Sequence, residues 1–457
     1  MATTNYVALA QKHELFIAQE TTIGTVAIPV AGDMVRVYGT PSFRAPIEFF
    51  EDEQHRQSRT RLPRILGRIV SGEFRFTVYC KPSGTGGTVP EIHKVMKGLF
   101  GTVSTYPATI VKGKAGATYP TITSSRWGVG TIANYAVGDG LAVTVGSAKE
   151  LTFISAVGTR TMTVSPVLSA APATSAAVGA GVTYKFQNDL PSFSIYWDCD
   201  HTTYIYTGCV FDSATFTING GEVVAIEVSG RFMKEVHAGT DALTTTITTG
   251  QTTLPVNDYQ RFRNGSHILV KTEQMLVNAE PTNNSIPVTR AYNSSSAVTA
   301  GSLADVLPWT PTGTETGQGN EVHGRFGSVE LDAANLTILG STLRIANNIK
   351  MQDDEKTGDL WTTSFTAPNF RDVDGTLRML FRRNDVQFFN YAREEQNVEV
   401  VIPAAVSVNG ALQAGKIMGI KLPQARFELP EVTGDADKEL SVNVDAPGTT
   451  TLNNECF

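Results

Sequence analysis

The densest set of donor groups in the chain is Asp198-Cys199-Asp200-His201, two carboxylates, a thiol and an imidazole in a row. Such groups bind a metal when they converge. On an extended strand they diverge, because alternate side chains point to opposite faces and Cys199 with His201 parts from Asp198 with Asp200. A turn or strand end is the better reading, and neither metal nor cofactor is expected. The remaining histidines, His13, His55, His93, His237, His267 and His323, are scattered without ligand spacing. Thr85-Gly86-Gly87 lacks the Lys-Ser/Thr that completes a phosphate loop and reads as a connecting turn. Neither Gly-x-Ser-x-Gly nor His-Glu-x-x-His occurs. The residues therefore predict no catalytic set and no enzyme.

A second stretch is charged rather than reactive. Glu48, Glu51, Asp52 and Glu53 run directly into His55, Arg56, Arg59, Arg61, Arg64 and Arg68. Arginines at this density can grip phosphate, but the acidic run beside them opposes it. An arm acidic at one end and basic at the other suits an identical neighbour, where unlike charges meet. Subunit contact is thus preferred over DNA contact and over a plain solvated loop. The inter-subunit arm candidates are Glu51, Asp52, Glu53, Arg56, Arg59, Arg61 and Arg64, together with Asp353, Asp354 and Glu355.

The last three come from a second, less basic copy of the same stretch. Ile47-Glu48-Phe49-Phe50-Glu51-Asp52-Glu53 and later Val70-Ser71-Gly72-Glu73-Phe74-Arg75-Phe76 are echoed by Ile349-Lys350-Met351-Gln352-Asp353-Asp354-Glu355 and later Val373-Asp374-Gly375-Thr376-Leu377-Arg378-Met379. Upstream, Phe43-Arg44 is echoed by Leu343-Arg344, with a gap that differs by two residues. Three blocks in one order read as an internal duplication, which sets architecture before anything else does.

A chain of 457 residues exceeds one ordinary core, so several domains are expected. Hydrophobic residues at 41% and charged residues at 18% describe a globular protein. A net charge of −7 argues against a general nucleic-acid binder. Cys80, Cys199, Cys209 and Cys456 form no C-x-x-C pair, against a disulfide scaffold or zinc ribbon. No apolar run has bilayer length, so no membrane is expected. The first residues lack the features of a signal peptide, which makes cytoplasmic synthesis the default.

Period-two alternation dominates, as in Glu73 to Tyr79, Thr215 to Ile218, Val224 to Val228, Leu336 to Ile338 and Val398 to Ile402. The clearest helix is Pro90 to Leu99, with Ile92, Val95, Met96 and Leu99 on one stripe. Residues 102–185 and 241–317 are Thr-rich, with Gly, Asn and Asp turns, and predict two small β-modules displayed on a host fold. The fold class is mainly β. Residues 1–101 with 186–240 form a first core, 318–457 a second, and the modules lie at 102–185 and 241–317.

The order of acidic cluster, long crossing, Val-x-Gly strand, helix (Pro90 to Phe100) and strand pair (Cys209 to Ile218, Glu222 to Gly230) resembles the tail tube proteins of long, flexible-tailed bacteriophages. Leu343 to Asn348 and Val373 to Leu377 carry the likeness into the second half. The resemblance covers both cores but not the two modules. It implies β-sandwich or β-barrel cores, each with a flanking helix or long arm, whose sheets join side by side in self-assembled rings. Those rings stack around a channel for DNA passage and ejection. Phe43 to Tyr79 and Leu343 to Phe381 are then equivalent hairpin-and-arm segments, and a duplicated core implies three chains per pseudo-hexameric ring, with a hexamer as the alternative. The implied partners are other copies of the chain, tape-measure and tail-tip proteins, and viral DNA sliding through without specific binding. The implied location is the virion tail, assembled in the host cytoplasm. Competing expectations are a tail terminator or decoration protein, and a β-rich adhesion or carbohydrate-binding protein of the virion surface. The latter needs exposed aromatic platforms, and the modules offer only Trp127 and Trp309 near their edges. In Glu73 to Val78 the charged and threonine positions face opposite to Phe74, Phe76 and Val78, with the lumenal set left open.

Overall fold

The computed structural model describes residues 13–50, 65–105, 121–123, 135–146, 148–158, 161–170, 172, 178–313, 320–326, 329–331, 334–353, 362, 364–405, 415–433, 438–446 and 455–456. The protein is mainly β, with several sheets and two short α-helices among these residues. Nine strands build its principal sheet: β1 (Tyr38–Arg44), β2 (Gly72–Tyr79), β3 (Thr203–Asn219), β4 (Ala225–Phe232), β5 (Gly340–Ala346), β6 (Asp372–Leu380), β7 (Ile417–Phe427), β8 (Glu431–Thr433) and β9 (Glu439–Asp445). Antiparallel pairing orders them β1-β2-β4-β3-β5-β6-β9. The far side of β9 is taken by the end of β7 and then by β8.

Alternation explains why the sheet has a dry face. Phe74, Phe76 and Val78 of β2 are buried while Glu73 and Arg75 are exposed. The same face of the neighbouring strands carries Ile226, Val228, Phe216, Ile218, Leu343, Ile345, Leu377, Met379, Leu440 and Val442. All belong to one apolar cluster that runs behind both halves of the sheet. The helices α1 (His93–Phe100) and α2 (Gln387–Arg393) close this core with Val95, Met96, Leu99, Phe100 and Phe388.

Two long strands change sheets midway. β3 begins on the 193–198 and 234–238 strands, shifts register between Phe211 and Ser213, and ends between β4 and β5. β7 begins on the Val398–Ala405 strand and ends on β9. Such a crossover lets one chain segment serve both layers of a sandwich.

The pairings recur along the sheet. β1 and β2 flank a hairpin of Ile47–Phe50 and Ile65–Ile69; β5 and β6 flank a hairpin of Lys350–Met351 and Phe365–Thr366. Arg44 lies opposite Glu73, and Arg344 opposite Asp374. On this pairing Glu73 corresponds to Asp374, so Gly72 and Gly375 are not equivalent but stand two positions apart. A two-residue slip leaves every side chain on its own face, so an alternating pattern alone cannot detect it. Each glycine answers to a local close approach instead. A Cβ on Gly72 would lie 2.0 Å from the Phe232 ring, and one on Gly375 would lie 2.4 Å from the Thr342 carbonyl.

Other boundaries move as well. The helix begins at His93 rather than Pro90, because the Glu91 carboxylate is drawn to Arg36 (backbone N–H 2.7 Å, Nη2 2.6 Å) and holds residues 91–92 in a turn. The strand expected at Leu336 to Ile338 ends at Leu336, and the segment from Gly324 opens with a 3-10 turn. A five-stranded sheet is built from strands between Thr121 and Ala180, and a six-stranded one from strands between Asp241 and Pro308. The first of these is not simply displayed. Its Leu151 and Phe153 share a buried cluster with Val401, Ala405 and Ile417 of the second half.

Candidate functional site

The surface that sets this molecule apart is the outward face of the principal sheet. It alternates charge with hydroxyl and amide groups. Arg75 pairs with Glu227, Arg231 with Glu73 at 3.5 Å, and Arg344 with Asp374 at 3.2 Å. Between them Ser213 and Ser229 share a hydrogen bond of 2.7 Å, and Asn443 donates to Glu428 at 2.9 Å. In the three ion pairs a charge meets its opposite on the next strand, whereas Asp374 also lies opposite Asp445, and Arg44 and Arg378 have no ion pair with a described residue. Glu73, Arg75 and Thr77 thus take the solvent face, with Phe74, Phe76 and Val78 in the core.

At one end of the sheet stand the two hairpins. The root of the second is firmly fixed. Asp212, the residue at the register shift of β3, accepts from Asn347 N–H through its carbonyl (2.7 Å) and from Ile349 N–H through Oδ1 (2.7 Å). Asn347 Nδ2 donates to the carbonyls of Leu99 and Phe211, both at 3.1 Å, and its Oδ1 accepts from Arg371 at 2.6 Å. Arg371 lies 4.2 Å over the Phe186 ring, and burial lowers its pKa to about 10. From this root Asp353 reaches the base of the first hairpin. Its Oδ1 accepts from Ser71 N–H at 3.0 Å and its Oδ2 from the Ser71 hydroxyl at 3.2 Å. Asp353 thereby ties the root of the second hairpin, across β3 and β4, to the first half.

Of the ten arm candidates, Asp353 is the one the described residues include. Glu51, Asp52, Glu53, Arg56, Arg59, Arg61, Arg64, Asp354 and Glu355 lie outside them, as does Trp127. Trp309 is 7% exposed and packs beside His267. Asn347, Asp212 and Arg371 were not singled out from sequence. Asn347 carries only the signal of an Asn-Asn pair after an alternating strand, which any turn would give, and Asp212 and Arg371 carry none.

Among the described residues no strand pairs with the far side of β1 or of β8. Nearby apolar side chains stand in solvent: Tyr38 is 62% exposed, Leu429 65% and Val432 43%.

Asp198 to His201 forms a strand end and turn, with Asp200 at φ 64°. Asp198 accepts from Thr203 (3.3 Å) and Thr310 (3.2 Å), and burial raises its pKa despite these bonds. Burial, and then the Asp198 charge, push the Cys199 thiol up to about 12. A thiol so protonated is a poor nucleophile. No group of three or more His, Cys, Asp or Glu among the described residues is placed to hold a metal ion. No described helix is long and apolar enough to cross a membrane.

Compared with known proteins, the chain matches no family model and no curated protein.

Proposed function

We propose that the chain is a structural subunit of a phage-type tail tube, with two duplicated cores per chain, assembling into stacked rings around a DNA channel. The observation that carries this reading is the principal sheet itself. It runs unbroken through both halves of the chain, is dry on one face and polar with cross-strand ion pairs on the other, and among the described residues is open at both edges. Open edges call for partners or protection, and strand addition between identical copies satisfies them. A head-to-tail contact closes a ring when its rotation permits. Two repeated pairings per chain favour three chains per ring over six.

In this reading the polar face lines the channel. Its arginines at 75, 231 and 344 are matched by acids, which leaves Arg44 and Arg378 without an ion pair to a described residue. DNA would find few free cations there to hold it by counterion release, which suits a conduit. The two hairpins root at one end of the sheet, and in this reading the arms that they carry contact neighbouring cores, as Asp353 contacts the first half within the chain.

Negative-stain electron microscopy of the purified chain, alone and with a tail-tip nucleus, tests the proposal. Hollow rings or tubes with three-fold or pseudo-six-fold end views are expected. Compact monomers at every concentration, with the nucleus present, would overturn it.

A further inference from the structure

The junction between β3 and β5 inside one chain is a template for the junction between two chains. Glu73 lies opposite Arg231 and Asp374 opposite Asp445, so β4 corresponds to β9, with Glu227 matching Ser441. Their next neighbours are Thr215 on β3 and Glu431 on β8. Both approaches carry the same irregularity. Phe211 to Thr215 spans Gly230 to Glu227 with one residue to spare, and Phe427 to Glu431 spans Val444 to Ser441 likewise. β8 is therefore placed on β9 as the end of β3 is placed on β4.

Within the chain Thr215 faces Arg344, Phe216 faces Leu343 and Thr217 faces Thr342. Carried over to the open edges, these contacts become Glu431 with Arg44, Val432 with Phe43, and Thr433 with Ser42. We propose that β8 of one chain adds to β1 of a second copy in this register. The inference rests on the ring reading above and specifies its seam.

Charge supports the choice. Glu431 and Arg44 are both exposed, and neither has an ion pair with a described residue. Joined head to tail, the acid meets the base. Two β1 edges would oppose arginines and two β8 edges glutamates, so the pairing is directional and runs round a ring. Pro41 and Pro430 flank the short ladder and lack N–H groups, which shields these edges from indiscriminate strand partners. Side chains must then supply much of the discrimination. Val432, 43% exposed in the single chain, gains the half-buried Phe43 as a neighbour on the core face.

The register is tested by cross-linking in the full chain. Asn347 N–H to Asp212 and Gly220 N–H to Leu339 mark the bonded pairs of the template, leaving Thr217–Thr342 an unbonded one. Unbonded antiparallel pairs bring Cα atoms to about 4.5 Å, within disulfide range. Ser42→Cys with Thr433→Cys is expected to give, on oxidation of assembled rings, covalent multimers ending at the ring's chain number. The slipped pair Ser42→Cys with Glu431→Cys should stay largely monomeric on a denaturing gel. Glu431→Arg or Arg44→Glu alone is expected to abolish rings, and the two together to restore them. Normal wild-type rings with no cross-link in the Ser42→Cys, Thr433→Cys variant, or with a stronger one in the slipped pair, would overturn the register and leave the ring reading standing. If the wild type forms no ring even on a tail-tip nucleus, the ring reading itself fails.

Discussion

Asn347 shows how much one amide can organise. It is 3% exposed and joins α1, β3 and the root of the second arm through two donated bonds and one accepted from Arg371. Asn347→Ala takes a donor from two carbonyls and the acceptor from Arg371 Nε, which keeps its bond to the Gln187 carbonyl, and should cost about 1–3 kcal/mol, read as a lower denaturant midpoint at unchanged slope. His267 makes a different kind of prediction. It is buried between Tyr196, whose hydroxyl lies 3.2 Å from Nδ1, and Trp309, and burial lowers its pKa to about 4. His93 is lowered to about 4 as well, by burial first and then by Lys94 and Lys97. Both pKa values fall below that of an unfolded histidine, about 6.5. The unfolded chain therefore takes up these protons first, and stability present above pH 6.5 is lost as pH falls toward 4. Thermal scans across that window should show Tm falling, with a shallower fall in His267→Gln.

Among the elements, α1 is short and carries a glycine in its interior, which by propensity alone weakens it by about 1 kcal/mol relative to alanine. The reason is packing: a Cβ on Gly98 would lie 2.1 Å from the Phe211 ring. Gly98→Ala should therefore destabilise the protein by about 1–3 kcal/mol, against its gain in helix propensity, a sign that calorimetry decides. Strand legibility followed burial. β2 and β4 have one wet face, and their alternation gave them away. The first half of β3 is buried on both faces from Ile205 to Phe211, so no alternation betrays that the strand read from Cys209 to Ile218 begins as early as Thr203. A strand that crosses from one sheet to another has no single wet face to read.

At the scale of the whole molecule the two modules differ in how they are held. The first is bound to the second half through Leu151, Phe153, Val401, Ala405 and Ile417, with Ser165 donating to Glu399 at 2.6 Å and Lys421 beside Glu399 at 3.1 Å. The second has its own closed core, from Leu243 through Ile268 to Val306. It is braced internally by the buried Glu273–Arg290 pair at 2.7 Å. Deleting residues 105–183 should expose an apolar patch on the second half and lower the soluble yield. Replacing 243–306 by a short linker should be tolerated better. Comparing soluble fraction and ring formation for the two deletions checks this.

The sequence by itself determined the β-rich class, the dry face of β2 and the turn at Asp198 to His201. These depend on periodicity and residue type over a few neighbours, which a linear chain records. The tertiary structure decided the two-residue offset between the glycines, the seat of Asp353 on Ser71, the crossover of β3, and which edges of the sheet stay open. Each depends on which strand lies beside which, over separations as large as the 282 residues between Ser71 and Asp353. Contacts of that span are chosen by the packing of the shared core, and no local pattern of residues encodes them.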